Sequence, residues 1–244
     1  MRWIGEAEVS KGVAERRFDL DVAGRTVPGL LWTPDAVDGP RPIVLVGHSA
    51  SLHKRVPYVV AVARMLARHH GIASVAIDGP SHGDRRPDGG HDPVTVFADF
   101  PAEWSRPGSV DDMVEDWRAT LDAVRAEPDV GDGPIGYWGL SMGSIYGIPL
   151  VAAEPRIKVA VLGLLGLVGP TKERLATDAA KITCPVLYLL QWDDQLFARD
   201  KVIDLYDRVG AVDKRLHAHP GEHSAVPPEE IGFSVDFLAR YLAP

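Results

Sequence analysis

A chain of mixed α/β class, built on a mostly parallel eight-stranded sheet with helices on both faces, is what this sequence predicts. Three observations predict it. Short runs rich in Val, Ile and Leu alternate with longer stretches of helical periodicity, the pattern of repeated β-α-β units. Several of the short runs are apolar at every position rather than at every second one, which marks strands buried on both faces. Ahead of them lie two alternating segments separated by Gly24, an antiparallel hairpin that extends such a sheet on one side.

Taken in order, the hairpin covers 16–22 and 26–32. Residues 43–46 read as a short buried strand, 59–69 as a helix and 72–77 as a second buried strand. A helix follows over 110–125, then a strand over 135–138, whose leading Pro134 is tolerated because a strand's first residue need not donate to the ladder. Residues 144–153 are small and apolar and read as a helix, with Pro149 predicting a kink or an early end, since proline removes a hydrogen bond and clashes one turn back. Strands at 159–165, 186–190 and 214–218 and helices at 200–209 and 228–242 complete the series. Two stretches break the rhythm. Residues 83–109 are rich in Pro, Gly and Asp and too long for an ordinary connection, which predicts a loop wall or partial lid. Residues 169–181 are too brief for a separate cap, so an open, shallow site with little or no cap domain is expected.

Composition narrows the classes. With 244 residues, 45% hydrophobic and 25% charged, one domain over 1–244 is expected. A net charge of −8 disfavours nucleic acid as a partner. Met1-Arg2-Trp3-Ile4-Gly5-Glu6 lacks a basic stretch followed by an apolar one, and no apolar run approaches bilayer length, so the expectation is a cytoplasmic protein without a membrane partner. A single cysteine, Cys184, excludes an internal disulfide framework and a multi-cysteine metal site, and its place before Pro185 at a strand start reads as structural. The sequence is compatible with a homodimer and carries nothing that decides it.

Chemistry enters at Gly139-Leu140-Ser141-Met142-Gly143. A serine with glycine two residues away on each side, between a strand and a helix, has the form of a nucleophile elbow, in which a tight turn lifts the hydroxyl above the sheet and leaves no room for bulk at the flanking positions. The pentapeptide alone is weak evidence, and its strand-to-helix setting carries the argument. Serine attacks only when a base takes its proton and a third group orients the base. Gln191-Trp192-Asp193-Asp194-Gln195 places carboxylates at the carboxyl end of a strand, and Pro220-Gly221-Glu222-His223 follows the last strand. The order Ser, Asp, His suits this type of fold. Of nine histidines, only His223 follows the last strand among small, turn-forming neighbours; His217 and His219 lie on the strand with side chains on one face and read as structural or solvent-facing.

These residues, over nearly the whole chain, resemble the α/β-hydrolase superfamily, and in particular its small bacterial esterases and dienelactone-hydrolase-like members. The resemblance implies that Asp194 rather than Asp193 is the acid, since the family's acid falls three residues after the strand's end. It implies an oxyanion hole formed by the amide after the nucleophile, that of Met142, and one from the loop after the first buried strand. Gly47-His48-Ser49-Ala50-Ser51-Leu52-His53-Lys54 is similar to the family's G-H-G-x-x-x-H-K loop, which nominates the Ala50 amide with Ser49 next in line; Ser49 stands where the family has glycine. His48 is a candidate pocket residue, or a holder of that turn. Asp78-Gly79-Pro80-Ser81-His82-Gly83-Asp84-Arg85 resembles a rigid scaffold turn of the same family, and His82 and Asp84 lack further ligands at metal-binding spacing. Lys54, Arg55, Arg85 and Arg86 fall on loops at the rim, either to attract a substrate carboxylate or as solvated surface. Among Trp104, Trp138 and Trp192, the last is the favoured pocket wall.

The activity implied is that of a serine carboxylesterase acting on a small acyl ester through an acyl-enzyme, with no cofactor and no metal. The same groups suit a lactone, amide, thioester or carbon–carbon bond, or perhydrolysis. A serine nucleophile argues against dienelactone hydrolysis in the strict sense, where the family uses cysteine. From a different class, a small-molecule-binding protein without turnover also fits the fold.

Overall fold

The structure is a computed structural model and describes residues 1–35 and 39–243. Nine strands form one sheet: β1 (Arg2–Ser10), β2 (Val13–Val22), β3 (Arg25–Pro34), β4 (Ile43–Gly47), β5 (Ala73–Ile77), β6 (Ile135–Gly139), β7 (Ile157–Gly163), β8 (Val186–Gln191) and β9 (Lys214–His219), in the order β1-β2-β3-β5-β4-β6-β7-β8-β9. β1, β2 and β3 run antiparallel and join β5 antiparallel; every pairing from β5 to β9 is parallel. The expected count of eight strands is therefore corrected to nine. The additional strand is β1, which lies on the sheet edge with both faces largely exposed and only Trp3 packing on Phe18. A strand that buries neither face carries no hydrophobic alternation to read.

The parallel strands show why the class was legible. In β4, Ile43 and Leu45 enter one core while Val44 and Val46 enter the other; in β8, Val186, Tyr188 and Leu190 face the first core and Leu187 and Leu189 the second. Helices α1 (Pro57–His70) and α7 (Pro228–Leu242) cover the second core. Helices α3 (Ser109–Arg125), α4 (Met142–Ala153), α5 (Lys172–Ala179) and α6 (Arg199–Arg208) cover the first. α1 begins with Pro57 in its first turn and stops at Gly71, whose φ of 65° is the left-handed cap that only glycine adopts without cost.

Two expectations are revised. Residues 83–109 contain helix α2 (Pro93–Ser105), started by Asp92, whose carboxylate accepts from the Thr95 amide at 2.9 Å, with proline in the first turn. α2 buries Val96 and Phe100 and leaves Phe97 outside. Pro149 does not end α4, which continues to Ala153. The helix is buried throughout Met142 to Val151, so packing outweighs the hydrogen bond that the Ile145 carbonyl cannot receive.

Chain order reverses direction at β4: the path moves outward to β5, then returns to add β6 on the other side. Crevices at the carboxyl ends of strands open at such a switch point, and the loops after β4 and β6 meet there.

Candidate active site

The turn from β6 into α4 carries Ser141 at φ 59° and ψ −119°, a positive φ for a non-glycine residue that costs on the order of 1–3 kcal/mol and survives only where surroundings over-determine it. The surroundings here are tight. A side chain at Gly139 would meet the Tyr137 hydroxyl at 2.7 Å and the Gly143 carbonyl at 3.0 Å, and one at Gly143 would press the Gly47 carbonyl at 3.2 Å. The Ser141 amide donates to the Gly163 carbonyl at 3.0 Å. Ser144 ties the same turn to β7: its hydroxyl lies 2.8 Å from the carbonyls of Gly139 and Gly163 and accepts from the Gly163 amide.

Beyond the carboxyl ends of β8 and β9, two loops are zipped together. The Trp192 amide donates to the His219 carbonyl at 2.7 Å, and the Asp193 amide to Gly221 at 3.1 Å. In return the Gly221 amide donates to the Asp193 carboxylate at 3.0 Å and the His223 amide to the Gln195 side-chain carbonyl at 2.9 Å. Held this way, His223 sets Nε2 2.9 Å from Ser141 Oγ and Nδ1 2.7 Å from Asp194 Oδ2. The second Asp194 oxygen accepts from the amides of Leu196 at 2.8 Å and Phe197 at 3.0 Å. Burial raises the carboxyl's pKa, but the hydrogen bond and charge of His223 and these two amides outweigh it, so Asp194 titrates below the ordinary range. The carboxylate fixes a proton on Nδ1 and leaves the Nε2 lone pair toward the serine hydroxyl. Asp193 is engaged with Gly221 instead.

The loop after β4 lies across the elbow. His48 is buried, with Nδ1 2.9 Å from the Ser49 carbonyl and Nε2 accepting from the Gly79 amide at 2.9 Å. Its two ring nitrogens hold the turn, and it is not among the residues lining the chamber beside Ser141, contrary to the expectation of a pocket residue. Burial, reinforced by the neighbouring His82 and only partly opposed by Asp78, pushes its pKa down to about 3. The Ser49 amide donates to the Tyr58 hydroxyl at 2.7 Å, which removes it from competition for a substrate oxygen. Within the described residues no hydrogen bond engages the Ala50 or Met142 amides.

Ser141 and His223 open onto a chamber of about 350 Å³ whose walls are largely apolar, among them Tyr58, Trp138, Leu140, Leu164, Val226 and Ile231, with Phe97 of α2 at its side. Trp192 is not among its walls: the indole is 47% exposed and lies under the Arg199 guanidinium, 3.8 Å from its centroid. Trp138 is the tryptophan that lines the chamber. The rim cations are also accounted for. Lys54 is buried against Asp78 at 2.6 Å and Asp84 at 2.7 Å, Arg85 pairs with buried Asp116, Arg86 with Asp88 and Asp99, and Arg55 with Glu8 and Glu15. A charge so engaged has little left for a substrate anion. The Cys184 thiol, half-buried, is pushed up to about 11 by burial and is not a thiolate at neutral pH.

Tyr58, Ser144 and Gln195 were not singled out from sequence. Each works through a partner far along the chain, and only Tyr58, one residue into a helix that follows the oxyanion-type loop, sits where a sequence signal existed.

No protein-family model matches the sequence, and no curated protein matches it. Solved structures do. A PEG-bound complex of a cold-adapted esterase from an Arctic intertidal metagenomic library is 44% identical, with 99% of this chain and 100% of that one covered and a TM-score of 0.90. A zinc-bound structure of a cold-adapted esterase from the same kind of library is 41% identical over the same coverage, TM-score 0.84. At the level of fold alone, an acetyl xylan esterase from Paenibacillus sp. R4 is similar at 19% identity, 99% and 88% coverage and TM-score 0.71. A dienelactone hydrolase from Anabaena variabilis is similar at 17% identity, 94% and 97% coverage and TM-score 0.66. Among the described residues no helix is long and apolar enough to cross a membrane.

Proposed function

Because this chain belongs to the α/β-hydrolase esterases and is a hydrolase of carboxylesterase type, we propose that it cleaves small carboxylic esters through an acyl-enzyme formed on Ser141, with His223 as base and Asp194 as its orienting acid. The observation that carries this reading is the unbroken line of hydrogen bonds from Ser141 Oγ to His223 Nε2, at 2.9 Å, and from His223 Nδ1 to Asp194, at 2.7 Å, opening onto an apolar chamber.

In this mechanism Ser141 Oγ attacks the ester carbonyl carbon as its proton passes to His223 Nε2. The carbonyl oxygen becomes an oxyanion held by the amides of Met142 and Ala50. Collapse breaks the bond to the alkoxy oxygen, which leaves as the alcohol with the proton from His223. Water then gives a proton to His223 and attacks the acyl carbon; the second collapse returns the proton to Ser141 and frees the acid. Asp194 stays ionised and stabilises the imidazolium in both halves. The uncharged walls and the engaged rim cations favour an uncharged, apolar acyl or alcohol group over an anionic one.

A fluorophosphonate probe tests this directly. It is expected to label the wild-type protein at Ser141, and Ser141→Ala is expected to lose both labelling and hydrolysis of short p-nitrophenyl esters, by about 10³-fold or more, with the circular dichroism spectrum unchanged. Turnover undiminished in that variant would defeat the assignment.

A further inference from the structure

On the edge strand β9, His217 and His219 stand two residues apart and so present to the same face. Above them, on the first turn of α7, lies Glu230, with a carboxylate 1% exposed. His217 Nδ1 is 3.0 Å from Glu230 Oε1, and His219 Nε2 is 2.8 Å from Glu230 Oε2. One donor atom from each of the three residues lies within 4.8 Å of the other two. None of the three belongs to the catalytic line. We propose that His217, His219 and Glu230 form a binding site for a divalent late transition ion, Zn²⁺ in the first instance, with a fourth position open to solvent.

Three features support the ion. The first is donor chemistry: two neutral imidazole nitrogens and one carboxylate oxygen make a borderline set that suits Zn²⁺ and disfavours Mg²⁺ or Ca²⁺, which want oxygen shells. The second is spacing. Bonds of about 2.0–2.1 Å in a tetrahedral shell set ligand atoms roughly 3.3–3.5 Å apart; the two imidazole–carboxylate separations of 3.0 and 2.8 Å lie just under this, the two imidazole nitrogens lie within 4.8 Å of each other, and the 38% exposed His217 side chain has freedom to turn in. The third is charge. A carboxylate this buried attracts a cation, and among the described residues its partners are the two imidazoles, with no lysine or arginine paired to it. Binding exchanges two hydrogen bonds for three metal bonds, each imidazole carrying its remaining proton on the nitrogen that faces away from the ion.

The location gives the ion a consequence. His219 ends β9 and Glu230 opens α7, so a bound ion would pin both ends of the segment between them. That segment carries His223 and the chamber residues Ser224 and Val226. The ion acts as a brace on the catalytic loop and takes no part in the bond-making steps.

The test is titration of purified, chelator-treated protein with zinc chloride by calorimetry, with bound metal counted after dialysis. One equivalent is expected, Mg²⁺ is expected not to compete, and zinc at 100-fold its dissociation constant is expected to raise the melting temperature by roughly 5–10 °C. His217→Ala, His219→Ala and Glu230→Gln are each expected to weaken binding at least about tenfold. His223→Ala is expected to keep it, which separates this site from metal capture by the catalytic imidazole. Absence of binding, or binding that survives in His217→Ala and His219→Ala, overturns the proposal. Because Glu230 is buried and its variant could fail to fold, anomalous scattering at the zinc edge from soaked wild-type crystals gives a second reading: a peak among the three side chains supports the site, and a peak only elsewhere refutes it.

Discussion

The loops after β4 and β9 each hold an imidazole with both ring nitrogens engaged, yet His48 and His223 are chemically opposite. His48 accepts from the Gly79 amide, which cannot give up its proton, and faces the Ser49 carbonyl, which favours a positive ring too weakly to offset its burial. His223 faces a hydroxyl that can be deprotonated and a carboxylate that stabilises the resulting cation. Burial locks the first ring neutral, with its pKa near 3, and it serves as a strut. In the proposed mechanism, what makes one of them a base is the identity of its two partners, and neither the residue type nor its place beyond a strand end decides that.

The largest break in this comparison comes from altering the carboxylate. Asp194→Asn lets the imidazole settle in the wrong tautomer and is expected to lower kcat by about 10⁴-fold, whereas Asp193→Asn, whose carboxylate only accepts from Gly221, is expected to stay within about tenfold. Equal losses in steady-state assays of the two would mean that the acid has been misassigned. For the strut the penalty falls on folding. His48→Ala leaves the buried Gly79 amide without its acceptor, while the Ser49 carbonyl keeps the Leu52 amide, and is expected to cost about 1–3 kcal/mol in urea unfolding; His223→Ala is expected to abolish turnover and to move the urea midpoint far less.

Acid sharpens the contrast further. Below the ordinary histidine value of about 6.5 the unfolded chain binds a proton that folded His48 refuses until about pH 3, so the unfolded state holds more protons and stability falls as pH drops through that window. The slope per such histidine is at most about 1.4 kcal/mol per pH unit, buried His82 adds in the same direction, and His48→Ala is expected to flatten the curve measured by urea unfolding between pH 6.5 and 4. The smallest effect is expected at Trp192→Ala, within about twofold in kcat/KM, because that indole stacks on Arg199 at the surface and not on the chamber.

Most of the architecture could be read in advance, and the exceptions are instructive. β4 and β8 announced themselves because both faces are buried and the runs 43–46 and 186–190 are apolar throughout, whereas β1 buries neither face and Arg2–Ser10 carries no alternation to read. Helix α2 was hidden by the prolines and glycines around it, although Asp92-Pro93 followed by Thr95 is a helix start that could have been recognised. At the site, the order of Ser141, Asp194 and His223 was visible, since strand ends and turn residues are local. The engagement of Lys54 with Asp78 and Asp84 was not, and neither was the Tyr58 hydroxyl on the Ser49 amide.

The sequence by itself determined the alternation of elements, the strained turn at Ser141 and the chemical types available above the sheet. These depend on hydrophobic period and turn chemistry acting over a few residues. Only the tertiary structure decided which imidazole meets the hydroxyl across 82 positions of chain, which amide is left unengaged beside it, and which cations are already neutralised. Those outcomes follow from how whole elements pack on one sheet, and no short stretch of residues contains them.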